Sequence, residues 1–586
     1  MRSRIQRRTT LKLLPLMLSG VSGSNGLALI QFAGAQGAKE RIWWKEAIVY
    51  QVFIRSFADG NGDGIGDFRG LLSRLDYLKT LGVTVLWLNP HYDTPNVDSG
   101  YDIRDYRKVN SDFGTMDDFD ALMAGAHARG MKIIVDLVVN HTSDQHIWFQ
   151  QSRSSKSSPY RDYYIWRDGK DGGLPNNYPS FFGGKAWQKD AATGQYYLHY
   201  YERRQPDLNW ENPAVRQEVH DIMRFWIARG VSGFRMDVIP FISKPEGLRN
   251  LTEEELRDPA VVFANGPHLH TYLHEMNEKV LSPSNAMSVG EAFGVPYAKT
   301  PLFVSQRRKE LDMIFHFDTV RIGRKEWKTQ PWTLQELKKT ITEDDRSTGA
   351  DGWTTSFLEN HDNPRSVSRF GDGSPASAKA LALLVLGRRG TVFLFQGQEI
   401  GMTNMPFEKI EDFEDVDAKG VWAETVGRGT YSAAAILNEL RQTSRDNART
   451  PMQWNNTATG GFTTGRPWFR LNPNTDRINV ASQEKDVSSV LSFYRKLIAF
   501  RKNNPVLVYG NYQDTDPQHS SVFAFTRKEG RDQVLIVINM TAQPQPWALP
   551  ADTTLGDVLL NTHPTSGAGR VLSLAPWQGF IATVLR

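Results

Sequence analysis

From Glu40 onward, short runs of apolar, β-branched and aromatic residues alternate with longer runs whose apolar positions recur at helical spacing. Eight short runs predict buried strands: Ala47 to Ile54, Thr84 to Asn89, Lys132 to Asn140, Gly233 to Val238, Met287 to Ala292, Met313 to Phe317, Thr354 to Asn360 and Thr391 to Gln396. Between the first two, Phe68, Leu71, Leu72, Leu75 and Leu78 predict a helix that Gly82 stops. Asp118 to Arg129, Val215 to Arg229, His268 to Val280 and Ala376 to Leu386 predict helices in later gaps. Strand-then-helix units repeated eight times predict an α/β fold, a (β/α)8 TIM barrel, whose working face is the C-terminal end of its strands.

Two gaps are too long for simple loops. His141 to Asn209, rich in Tyr, Trp, Gly and Asp, predicts a lid domain (141–209) inserted after the third strand. Asn404 to Trp454 is a second insertion, charged and partly helical. After Pro505 the pattern changes to short alternating strands, such as Ser521 to Thr526 and Gln533 to Asn539, which predict a C-terminal antiparallel β-sandwich over 505–586. The catalytic barrel then takes 40–140 and 210–504.

Composition narrows the class. Of 586 residues, 16 are Trp, 19 Tyr and 30 Phe, a supply that suits ring-shaped ligands such as sugars as well as a large core. There is no cysteine, hence no disulfide framework and no thiol chemistry. The formal charge is +4, but Arg2, Arg4, Arg7, Arg8 and Lys12 precede any acid, and removing these five leaves −1. That near-neutral remainder excludes a nucleic-acid or anionic-membrane partner. The basic start, the broken apolar middle and Ala33-Gly34-Ala35 predict an export signal over 1–35. Arg7-Arg8-Thr9-Thr10-Leu11-Lys12 resembles a twin-arginine signal, which places the protein in the periplasm or outside the cell. No later segment is long and apolar enough to span a bilayer, so no membrane contact is expected after signal removal, and the chain is expected to be a monomer.

Candidate chemistry lies at the strand ends. Arg235 and Asp237 point to one side of the fourth strand, and a guanidinium beside a carboxylate keeps it ionised, as a nucleophile requires. Glu291 ends the fifth strand and Asp362 follows the seventh, so three acids are expected at one site. His141 closes the third strand, where its ring can meet a hydroxyl while Asp136 and Asn140 brace loops beneath. Asp59 to Asp67 alternates oxygen-bearing side chains with glycines, which suits a hard cation; the twelfth position is Gly70, which argues for a structural calcium loop instead of a regulatory hand.

Asp136 to His141, Gly233 to Val238, Gly290-Glu291 and Asn360-His361-Asp362 are similar, in content and order, to the four signature regions of the α-amylase superfamily (glycoside hydrolase family 13) of retaining enzymes. Gln51 to Phe57, Asp59 to Asp67, Asp98 to Ile103 and Ser444 to Trp454 resemble the oligo-1,6-glucosidase and sucrose isomerase branch. The resemblance covers nearly everything after residue 40. It implies Asp237 as nucleophile, Glu291 as acid/base and Asp362 as the carboxylate that steadies the distorted ring. It also implies a blind glucose pocket lined by Asp98, Tyr101, His141, Arg235, His361 and Arg445. Calcium would be held by Asp59, Asn61, Asp63, Asp67 and the Ile65 carbonyl, with no organic cofactor.

Within that branch two outcomes share one glucosyl-enzyme intermediate. Water attacking it gives hydrolysis, whereas retained fructose re-attacking it isomerises sucrose. Phe293, Phe317 and Arg321 match the aromatic clamp and acceptor arginine of the isomerases. Against this, the isomerases' Arg-Leu-Asp-Arg-Asp reads Arg321-Ile322-Gly323-Arg324-Lys325, an acceptor glutamate falls on the shorter Asp417, and Val238 stands where the isomerases carry threonine. The balance predicts an exo-acting α-glucosidase for isomaltulose, trehalulose, isomaltose or sucrose, ahead of a sucrose isomerase. A non-catalytic, transporter-associated sugar-binding subunit is the third reading, and the complete acid set opposes it.

Overall fold

The structure is a computed structural model that describes residues 41–563 and 569–585. The expected export signal lies outside them. All eight expected strands form, each trimmed at one or both ends: β1 Ile48–Val52, β2 Val85–Leu88, β3 Lys132–Leu137, β4 Gly233–Met236, β5 Met287–Glu291, β6 Met313–Phe315, β7 Thr355–Ser356 and β8 Thr391–Phe395. They pair in parallel in the order β6-β5-β4-β3-β2-β1-β8-β7. Between β6 and β7 the barrel closes through a side chain, as Thr355 Oγ1 donates to the Ile314 carbonyl at 3.1 Å.

Strands of a parallel barrel are covered on both faces, which is why β1, β2, β5 and β8 are buried at every position. Val49, Val85, Trp87, Ile134, Met287, Val289, Met313, Phe315 and Phe393 fill the interior. Trp87 stacks on Phe315 at 5.7 Å between ring centroids, and its indole faces the site above.

The helical expectation after β1 needs correction. Two helices form, Phe68–Ser73 and Leu75–Leu81, because Arg74 leaves helical geometry and lays its guanidinium 4.3 Å over the Trp454 ring. Pro213–Ala228 and Pro375–Gly387 are the long helices after β3 and β7, each with proline in its first turn and an Asn or Ser cap.

Between β3 and the Pro213 helix stand the helix Ile147–Ser154 and a three-stranded sheet, Trp166–Arg167, Tyr196–Leu198 and Trp187–Lys189. After β8, the helices Val416–Thr425 and Ala433–Thr443 pack through Ala418, Ile436 and Leu440 onto Phe407, Phe413 and Phe469. The C-terminal part is a five-stranded antiparallel sheet with a two-stranded sheet, Gln545–Ala548 and Val571–Leu574, on its face. Trp547, Leu572 and Leu574 meet Val522, Leu535, Val537 and Phe580 between the two layers. No helix among the described residues is long and apolar enough to cross a membrane.

Candidate active site

The strands end earlier than the hydrophobic runs suggest, so two of the three acids sit on the turns that follow, while Glu291 is the last residue of β5. β4 stops at Met236, which puts Asp237 and Val238 on its exit turn, and β7 stops at Ser356, well before Asp362. An Asn side chain builds the Asp362 turn, Asn360 Oδ1 accepting the Asp362 N–H at 2.9 Å.

Arg235 is buried and shared among three carboxyls. Its Nη1 donates to Asp136 Oδ1 at 2.7 Å and to Asp237 Oδ1 at 2.8 Å, and its Nη2 lies 2.6 Å from Glu291 Oε2. The guanidinium rests over the Trp87 ring at 5.3 Å, and Trp87 Nε1 donates to Asp136 Oδ2 at 2.9 Å. Asp136 therefore belongs to the ion network, where the sequence reading had it only bracing loops. Val238 has φ 36° and ψ 38°, a left-handed conformation rare for a β-branched residue, and its N–H donates to Glu291 Oε2 at 3.1 Å.

Burial, and after it the Glu291 charge, pushes the Asp237 carboxyl well above the ordinary range, with Arg235 opposing. Arg235 lowers the proton affinity of Asp237 as expected, but the expected net effect is corrected: one guanidinium divided among three carboxyls does not offset the burial of Asp237 and the Glu291 charge beside it.

The glucose end is saturated with ion pairs. Arg445 reaches Asp98 and Asp362, each at 3.3 Å, and Asp415 at 2.5 Å. Arg449 reaches Asp362 at 2.9 Å and donates to the His361 carbonyl at 3.1 Å. Burial works to raise the Asp362 carboxyl, but His361, Arg445, Arg449 and Arg235 hold it well below the ordinary range. Burial pushes the His361 ring itself down to about 3, so at neutral pH the arginines carry that effect. Tyr101 stacks on His361 at 5.4 Å and 7°, and its hydroxyl lies 2.6 Å from His361 Nε2. His141 Nε2 lies 3.2 Å from the Tyr101 carbonyl, and Gln205 Nε2 donates to Asp98 Oδ2 at 3.2 Å.

The acceptor end is aromatic. Phe293 and Phe317 stand 5.7 Å apart at 51°, and the Arg321 guanidinium covers Phe293 at 4.1 Å. Arg324 is committed to the protein, donating to Asn363 Oδ1 and, at 3.4 Å, to the Thr443 carbonyl. Burial pushes the Asp417 carboxyl up to about 6, and the Asp415 charge adds to this.

One cavity of about 660 Å³ is lined by Asp237, Glu291, Asp362, Asp98, Tyr101, His141, Val238, Phe293, Phe317, Arg321, Arg324, Asp417 and Arg445. Arg235 and His361 stand behind its wall, bonded to the lining acids and to Tyr101. Phe181, Phe182 and Tyr201, from the insertion after β3, also line it; they, Gln205, Asp415 and Arg449 are absent from the sequence-derived site. Arg449 and Asp415 carried a signal of a kind, an arginine four residues after Arg445 and an acid two before Asp417, but neither spacing alone marks a site.

The Asp59 to Asp67 loop is curled by left-handed Gly62 and Gly64, and a Cβ on Gly64 would meet the Arg466 carbonyl at 1.9 Å. Asp59 Oδ1 accepts the Gly62 N–H at 2.7 Å, and Asp67 Oδ1 accepts that of Gly70 at 2.6 Å. All donors are oxygens, which fits a hard cation. Among the described residues no three acidic, histidine or cysteine side chains converge to hold a metal by themselves, so a cation here depends on Asn61 and the Ile65 carbonyl as well.

With this geometry in hand, comparison is decisive. Residues 51–510 match the alpha amylase catalytic domain, and residues 512–581 match the maltogenic amylase C-terminal domain. The chain belongs to the alpha-amylase family. It is 46% identical over 553 residues to an oligo-1,6-glucosidase of Bacillus cereus, covering 92% of this chain and 99% of that one. The trehalulose synthase of Pseudomonas mesoacidophila MX-45 superposes with a TM-score of 0.92 at 51% identity, covering 94% of this chain and all of that one. The isomaltulose synthase of Klebsiella sp. LX3 superposes with a TM-score of 0.92 at 49% identity, over 93% of this chain. This family member is an enzyme acting on glycosides.

Proposed function

We propose that the protein is a retaining, exo-acting α-glucosidase for short α-glucosides such as isomaltulose, trehalulose, isomaltose and sucrose. The observation that carries this reading is the Asp237–Glu291 pair on one guanidinium beside an ion-paired pocket. A retaining pair is close, whereas an inverting pair leaves room for a water between its members. In the first step Glu291 gives a proton to the glycosidic oxygen, the C1–O bond breaks, and an Asp237 oxygen bonds C1. In the second, water gives a proton to Glu291 as its oxygen displaces Asp237 from C1. Asp98, Arg445 and His141 take the glucose hydroxyls, His361 backs Tyr101 and Asp362 from behind the wall, and Asp362 steadies the flattened ring. Asp362 suits that task because the surrounding arginines keep it ionised.

Hydrolysis is favoured by Val238, which offers the acceptor side no hydroxyl, and by Arg324, which spends two of its donors on Asn363 and the Thr443 carbonyl. The clamp of Phe293, Phe317 and Arg321 supports a second reading, sucrose isomerase. A variant of the similar trehalulose synthase has been solved with the substrate sucrose. Chromatography of products from purified protein and sucrose separates the two. Glucose and fructose are expected, and a majority of isomaltulose or trehalulose overturns the hydrolase. The same reading takes the enzyme to the periplasm by the twin-arginine route, as a monomer with a structural calcium ion in the Asp59 loop.

A further inference from the structure

We infer that Asp415 is a positioning residue that fixes the glucose end of the cavity from behind, an inference that rests on the functional reading above. Its side chain is 0% exposed and is absent from the cavity lining. Arg445 Nε donates to its two oxygens at 3.1 and 3.0 Å, Arg445 Nη2 reaches it at 2.5 Å, and Arg449 Nη1 stands 3.6 Å away. Both guanidiniums then meet Asp362 on their far side, at 3.3 and 2.9 Å, and Arg445 alone meets Asp98. Asp415 is therefore the only acid that holds the two arginines without facing the sugar's space, among the described residues.

An arginine side chain has many rotamers, and two guanidiniums side by side repel each other. A carboxylate behind them removes both problems at once. The backbone of Asp415 is held in return, since Asp446, next to Arg445, accepts its N–H at 3.0 Å and that of Glu414 at 2.9 Å. Asp415 also caps the helix Val416–Thr425, accepting the Asp417 N–H at 3.3 Å. One turn of the insertion after β8 thus sets Asp415 on the glucose-side arginines and Asp417 at the acceptor side.

The test separates charge from capping. Asp415→Asn and Asp415→Ser keep a good cap and lose the charge. Both are expected to lower kcat/KM on the best α-glucoside and to weaken glucose inhibition by about 100-fold, with unchanged circular dichroism. Phenylglyoxal should label Arg445 about tenfold faster, read by peptide mass mapping. Adding Asp415→Asn to Arg445→Ala should cost less than about threefold more, because the pair acts as a unit. That double variant loses one charge of each sign, so it serves if the single variants do not fold. Wild-type glucose inhibition and labelling in the single variants, or the full loss repeated on Arg445→Ala, overturns the inference. Should the wild type cleave no α-glucoside, the functional reading fails, and the Arg445 labelling rate still decides the role of Asp415.

Discussion

At the glucose end of the cavity, Arg445 and Arg449 meet Asp98, Asp362 and Asp415, so each charge has a partner and a fixed place. At the acceptor end, Arg321 lies on the Phe293 ring with no carboxylate at ion-pair distance among the described residues, and Asp417 is a short acid beside an apolar Val238. The first arrangement is pre-organised to recognise one sugar. The second offers ring faces and a cation without an acid partner among the described residues, and under the proposed mechanism this is the end whose changes shift what attacks the glucosyl-enzyme. The chain is of similar overall likeness to an oligo-1,6-glucosidase and to a trehalulose synthase.

The contrast is broken most severely by Arg445→Ala. Removing one partner of a buried ion network leaves Asp98 without its ion pair and Asp362 and Asp415 sharing Arg449, and kcat/KM should fall about 10³-fold for every aglycone alike. Steady-state kinetics on isomaltose, isomaltulose and sucrose check this, and a loss confined to one aglycone refutes it. Next is Val238→Thr, which adds a hydroxyl at the acceptor side. Transfer products from sucrose should rise about fivefold relative to glucose while glucose inhibition stays within twofold.

A smaller effect follows from Asp417, held at about 6 by burial and the Asp415 charge. Below that value it is protonated; above it, the carboxylate accepts a stronger hydrogen bond from a sugar hydroxyl. The transfer fraction should therefore grow about twofold as pH rises through 6, and Asp417→Asn should flatten the curve. Smallest is the calcium loop, remote from this contrast. Chelation should lower Tm by about 2–5 °C and leave the product ratio alone, and an unmoved Tm argues against a bound ion.

Much of this was written locally. The eight strands and the order of the three acids are legible because buried parallel strands need unbroken apolar runs and because Asp237, Glu291 and Asp362 each follow one. The apolar runs overreach the strand ends, since Val138 to Asn140 and Val238 stay buried after pairing stops, and burial is all that an apolar run reports. Asp415 was hidden for the opposite reason. It lies among Glu408, Glu411, Asp412, Glu414 and Asp417, and nothing in that run says which acid turns inward.

The sequence by itself determined the barrel, and through its motifs and their family resemblance it supplied the candidate carboxyls and pocket residues, because periodicity and short motifs are properties of neighbours along the chain. Only the tertiary structure decided that Arg235 is split among three carboxyls, that burial and the Glu291 charge push the Asp237 carboxyl up, and that Asp415 stands behind Arg445 and Arg449. Charge balance and desolvation depend on distances in space between segments far apart in the chain, and no local pattern carries them.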